Sequence, residues 1–209
     1  MKRFYKLTPQ IVICLTLIFF MFSCNSEEIS IMQDDSSVSL YEIIEANSSY
    51  STAKAAPKKG SDPIAAIAID NGSFTQLVAA LMYVDEQLGA GLVDLFLNGK
   101  DQLTVFAPND DAFNALYDAL EITGITDLDA ELVLSVLQYH VTTGRRASNS
   151  VVPKNGMRTI ETLLPEATFN VYPDLSIMAI GNSANILAAD ISASNGIIHV
   201  IDTVILPIE

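Results

Sequence analysis

Residues 104–113 read TVFAPNDDAF, and the order of residue types in this stretch sets a strand directly against a helix. Leu103, Val105 and Ala107 alternate with Thr104 and Phe106, which predicts a strand over 102–107 that is apolar on both faces. Pro108 ends it, because proline cannot donate to a ladder. Asn109 is placed to cap the next helix with its side-chain oxygen. Asp110 and Asp111 fall in the first turn, at the positive end of the helix dipole. Ala112, Phe113, Leu116 and Leu120 supply the buried face. Two acids beside an asparagine would also suit a metal or partner site, but a capped helix accounts for each residue.

Upstream, Asn98-Gly99-Lys100-Asp101 is turn chemistry. Before it, Ser73-Phe74-Thr75-Gln76 has the form of a capping box, with Ser73 as N-cap. Phe74, Leu77, Val78, Leu81, Met82, Val84 and Leu88 then fall mostly on one helical face, and Gly89 is a stop. Downstream, Asp129 is read as the cap of a helix running to about Gln138, with Leu132, Val133, Val136 and Leu137 inward. Thr143-Gly144-Arg145-Arg146 reads as a turn. Short strands are expected at 159–163, 168–172, 176–180, 185–191 and 197–206, separated by Gly156, Pro165, Pro173, Gly181 and Gly196. Ser194-Asn195-Gly196 between two apolar runs predicts a hairpin. Helices first and strands mostly last argue for an α+β fold, not an alternating parallel sheet.

Three of these stretches, TVFAPNDDAF, LQYHV (137–141) and SNGIIHVIDTVILP (194–207), stand in the order found in fasciclin-like domains. The resemblance covers roughly residues 62–209. It rests on TVFAP followed by Ala112-Phe113, on Tyr139-His140, on Asn195-Gly196 leading into His199-Val200-Ile201-Asp202, and on Leu206-Pro207. It implies a wedge of two β-sheets with helices packed along one side. It also implies adhesion through a Tyr-His motif and an Asp-Ile motif upstream of the Asn-Gly turn. Tyr139 and His140 match the first, and Asp190 and Ile191 the second. Ala188, Ala189 and Ser192 replace the flanking Glu, Pro and Met, which counts against integrin-type contact. These four residues are the candidate partner-binding set. The competing structural expectation makes Tyr139 and His140 a buried hydrogen-bonding pair joining a helix end to the sheet, and has His199 satisfy a backbone partner.

The N-terminus sets location. Lys2, Arg3 and Lys6 precede an apolar run from Ile11 to Phe22, about half of the ~20 residues a membrane-crossing helix needs, so residues 1–23 are read as a signal peptide. Met21-Phe22-Ser23-Cys24 resembles the cleavage and lipidation site of a bacterial lipoprotein, with Met in place of the usual Leu. Cys24 is the expected lipid carrier. The acids that follow, Glu27 and Glu28, resemble a surface-export signal of Bacteroidetes lipoproteins. Cys14 leaves with the signal peptide, so the mature chain has no disulfide and depends on a packed core. Residues 24–61, rich in Ser, form the expected lipidated flexible tether, with one marginal helix around 40–46. Residues 62–209 form one domain.

Cleavage removes three of eleven Lys+Arg and no acid, leaving eight basic against twenty-five acidic residues and a net charge of −17. Such a surface repels nucleic acid and anionic membranes, and it favours solubility. The membrane is then reached through the lipid anchor only. No cofactor or metal is indicated, since two separated histidines without a thiol do not make a zinc site. No catalytic residue stands out, because a serine hydrolase needs a histidine beside its nucleophile and both histidines fall in fold motifs. The chain is therefore expected to be a non-catalytic binding module on the outer membrane, facing a protein or glycan. The alternatives are an accessory subunit of an outer-membrane assembly and, behind it, a hydrolase of surface polymers.

Overall fold

The computed structural model describes residues 58–208. The signal segment, Cys24 and the expected helix around 40–46 lie outside the described residues. Three helices come first: α1 (Ile64–Asp70), α2 (Thr75–Leu88) and α3 (Leu92–Asn98). Strand β1 (Leu103–Pro108) leads into α4 (Asp110–Leu120), a 3-10 turn at Ile125–Asp127, and α5 (Ala130–Tyr139). Then follow β2 (Val141–Thr143), the one-turn α6 (Ser148–Val151), β3 (Arg158–Glu161), β4 (Thr168–Val171), β5 (Ser176–Met178), β6 (Ser183–Ser192) and β7 (Gly196–Ile201). The architecture is α+β.

The strands run β2-β1-β7-β6-β5-β4-β3 across one mixed sheet. β1 and β7 pair in parallel, Leu103 opposite Gly196 through Pro108 opposite Ile201, and the remaining pairs are antiparallel. The two expected sheets are joined through β6. Its first residues pair with β5 and its later ones with β7. Register shifts between Ile186 and Ala188 and between Ala188 and Ile191 break the ladder there, and Asp190 carries φ 67°. Bulges of this kind bend a strand.

Two cores form, and β1 and β7 contribute to both. Val105, Ala107, Ile198 and Val200 pack against the helices with Phe74, Leu81, Phe113 and Leu137. Phe106 and Ile201, on the opposite face of the same strands, join Ile160, Phe169, Val171 and Ile177 from β3, β4 and β5. The Phe106 and Phe169 rings meet edge to face at 4.9 Å. All six residues of β1 are buried, as its two apolar faces predict.

Helix caps divide into local and distant ones. Asn109 accepts from Ala112 N–H at 2.9 Å, and Asp129 accepts from Glu131 and Leu132 N–H. Gly89 closes α2 in the left-handed region at φ 63°. The expected capping box is not formed: Phe74 occupies the N-cap position of α2 without a side-chain cap. Asp110, thirty-four residues on, accepts the Gln76 N–H instead. Asp85 in α2 likewise accepts the Leu92 and Val93 N–H groups that open α3.

The last strand is shorter than its apolar run. It ends at Ile201; beyond it the Asp202 N–H donates to the Asn185 carbonyl, and the Asp202 carboxylate accepts the Asn185 N–H at 2.7 Å. The hairpin at Asn195-Gly196 forms, but Gly196 is not among the positive-φ glycines. A Cβ there would stand 2.1 Å from the Leu103 carbonyl oxygen and 2.7 Å from Ile64 Cδ1. Close approach is what requires glycine. At the other end, Lys58 lies against the domain, its carbonyl accepting the Ser192 hydroxyl.

Candidate functional site

Tyr139 and His140 close α5, where an amphipathic helix turns into β2. Tyr139 is fully buried and His140 is 3% exposed. The Tyr139 hydroxyl donates to the Thr168 carbonyl at 2.8 Å and accepts from Ile180 N–H at 3.3 Å. Its ring meets Phe169 edge to face. His140 Nδ1 lies 2.7 Å from the Val136 carbonyl, and Nε2 lies 3.0 Å from the Ile205 amide nitrogen. A carbonyl accepts and an amide donates, so the proton sits on Nδ1 and the ring is neutral. Burial holds the imidazole down at about 4, with the Val136 bond opposing. The pair ties the helix end to β4 and to the chain leaving β7, and offers no polar atom to solvent.

Asp190 and Ile191 lie in the irregular part of β6, and both are half-buried. Asp190 accepts the Ser148 N–H at 2.7 Å and the Ser148 hydroxyl at 2.5 Å. It is a distant cap for α6. Its own N–H donates to His199 Nδ1 at 3.3 Å, and His199 Nε2 lies 2.9 Å from the Arg146 carbonyl. His199 is fully buried. Burial pushes its pKa down, with the Arg146 bond and the Asp190 charge opposing.

Ser148, Asp190 and His199 are thus brought together, but not in the order a hydrolase needs. The serine hydroxyl donates to the carboxylate, and the histidine meets the aspartate backbone. Both imidazole nitrogens are occupied by main-chain partners, so neither can take the serine proton. Among the described residues, no three His, Cys, Asp or Glu side chains are grouped to hold a metal ion.

Sequence reasoning passed over three contributors to this region. Arg145, read as part of a turn, donates from Nη1 to the carbonyls of Ala193 and Gly196 and from Nη2 to the Ser192 hydroxyl. It clamps the β6–β7 turn. Asn195, read as a turn residue, is buried; its Oδ1 accepts the Ile64 N–H and its Nδ2 donates to the Phe96 carbonyl, each within 2.9 Å. Ser148 carries no mark of this role in its sequence neighbourhood. None has a local signature, since every one of these partners is distant in sequence.

Tyr139, His140 and Asp190 are thus each hydrogen-bonded to backbone groups of other elements around a bent, mixed sheet. The fasciclin domain matches residues 72–207, and the chain belongs to the fasciclin-domain family. It is 35% identical over 144 residues to Protein sll1483 of Synechocystis sp., covering 69% of this chain and 73% of that one. It is 33% identical to the immunogenic protein MPB70 of Mycobacterium bovis, covering 70% and 69%. Identity with the cell surface glycolipoprotein MPB83 of Mycobacterium bovis is 31%, covering 70% and 61%. A solved FAS1 domain pair from the insect cell adhesion molecule fasciclin I superposes with TM-score 0.48 at 20% identity, over 66% of this chain and 46% of that one.

Proposed function

We propose that this protein is a non-catalytic binding module at the cell surface, held to the outer membrane by lipid on Cys24 and making adhesive or envelope contacts with a protein or glycan. The observation that carries the reading is membership of a family whose relatives include a cell surface glycolipoprotein. The wiring of the polar core supports the absence of catalysis. Both histidines are neutral and held by backbone groups, and a histidine acting as acid or base needs a free nitrogen within reach of substrate.

The anchor is tested by replacing Cys24 with Ala. The variant is expected in the soluble fraction, and lipid mass on the N-terminal peptide of the parent completes the result. Unchanged fractionation with no lipid mass refutes the anchor. The binding role is tested by immobilising the purified protein and passing matrix proteins, envelope extracts and surface glycans over it, with ester, peptide and glycoside substrates assayed in parallel. Saturable binding without turnover is expected. Turnover abolished by one histidine or carboxylate substitution that leaves the fold intact would make it an enzyme.

A further inference from the structure

The chain leaving β7 is strapped down over residues 203–208. Val204 is buried in the core beside the helices, and Ile205 in the core with β3, β4 and β5. Most of the strap's backbone bonds go to the turn between β5 and β6. Asn182 donates from Nδ2 to the Val204 carbonyl at 2.8 Å and accepts the Leu206 N–H at 3.0 Å. The Gly181 N–H donates to the Leu206 carbonyl at 3.0 Å. Among the described residues, one hydrogen bond ties the strap to the helical layer, from the Ile205 N–H to His140 Nε2 at 3.0 Å.

That bond exists in one protonation state only. His140 Nδ1 donates to the Val136 carbonyl, so Nε2 accepts from Ile205 only while the ring is neutral. A proton on Nε2 would set two N–H donors against each other in a buried place. No acid stands by to offset it. The residues around the ring come from α2, α4, the 3-10 turn, α5, Pro108 and the strap, and none of the others is titratable. The neighbouring Tyr139 turns its hydroxyl to Thr168, and Asp202, just before the strap, is engaged with Asn185. Relief is available locally. His140 borders the apolar groove that Leu116, Leu132 and Val136 form with Leu206 of the strap, so Nε2 gains access to water once the strap lifts. The ladders that join β7 to β1 and β6 do not include the strap. We propose that His140 is an acid-released latch, whose protonation frees residues 203–208 from the helices while the sheet stays folded. The device goes beyond the surface-binding reading and does not rest on it.

Amide hydrogen exchange of the purified protein, followed by NMR between pH 7 and pH 4 and expressed as protection factors, reads such local opening. Opening at Ile205 and Leu206 should begin to rise at about pH 6.5, where a freed imidazole takes up its proton, and should climb at least tenfold by about pH 4. Ile198 and Val200 in β7 should keep their protection over the same range. In His140→Gln, whose side-chain amide can accept from Ile205 and donate to Val136 without titrating, the rise should vanish. Should that variant not fold, nitrogen shifts of the parent's His140 ring at pH 7 test the latch directly, since it requires the proton on Nδ1 and none on Nε2. Overturning results are strap and β7 amides losing protection together, strap protection that does not change with pH, His140→Gln opening as the parent does, or a proton found on Nε2 at pH 7.

Discussion

Asp110 caps a helix that is not its own. Its Oδ1 accepts the Gln76 N–H at 2.8 Å, and its Oδ2 accepts the Thr75 hydroxyl at 2.8 Å. The same residue opens α4 and returns its own N–H to the Ser73 carbonyl at 2.9 Å. One carboxylate thus fixes the start of α2 against the start of α4, and with it one wall of the helical layer. Asp110→Ala is expected to cost about 1–2 kcal/mol, the range of a lost helix cap. Ser73→Ala, which removes the residue a local reading would choose, should stay within ~0.5 kcal/mol. Urea midpoints of the two variants decide between the local and the distant cap.

His140 makes stability depend on pH in a defined direction. The unfolded chain takes up a proton near the ordinary value of 6.5, while the folded imidazole waits until about 4. Its contribution is complete above pH 6.5 and is lost as pH falls toward 4, an amount of about 3 kcal/mol. His199 shifts the same way, so the parent has to be compared with His140→Gln. The gap in unfolding free energy between the two should shrink between pH 7 and pH 4. A gap that stays constant with pH rules the account out.

Removing the His140 side chain tests its structural role at neutral pH. His140→Ala leaves the buried Ile205 N–H and Val136 carbonyl without these partners, at about 1–3 kcal/mol, and should lower Tm by several degrees. A variant that melts with the parent yet loses ligand attachment would restore Tyr139-His140 as a contact surface.

Asp190 combines a left-handed backbone with two bonds to Ser148. Asp190→Ala loses both bonds and places alanine where φ is 67°, so about 2–3 kcal/mol of stability should go. Asn tolerates this backbone region and keeps one acceptor oxygen, so Asp190→Asn should retain more than half of that. Thermal melts rank the pair, and equal losses would contradict the geometry.

At Gly196, Ala would bring a Cβ to 2.1 Å from the Leu103 carbonyl. Backbone cannot give way as a flexible side chain does, so Gly196→Ala is expected to cost at least ~2 kcal/mol. The loss should appear as a lower denaturation midpoint. A variant as stable as the parent would mean that β1 and β7 sit further apart than their register implies.

By itself the sequence determined what depends on neighbours along the chain. The alternation in Leu103–Ala107, the break at Pro108, and the caps at Asn109 and Asp129 all act within a few residues, so their chemistry is visible in order. The paired apolar runs around Asn195-Gly196 announced a hairpin for the same reason, and the motifs they form pointed to the family. What only the tertiary structure decided involves partners far apart in sequence. Asp110 replaces Ser73 as a cap, Asp190 holds Ser148, Asn195 holds Ile64 and Phe96, and β6 bends so that one strand serves two halves of the sheet. A backbone N–H left free at a helix start accepts any oxygen brought within about 3 Å. Periodicity predicts that Leu116, Leu132 and Val136 turn inward, but whether inward-facing side chains close on one another or leave a slot between them is settled only when the helices pack.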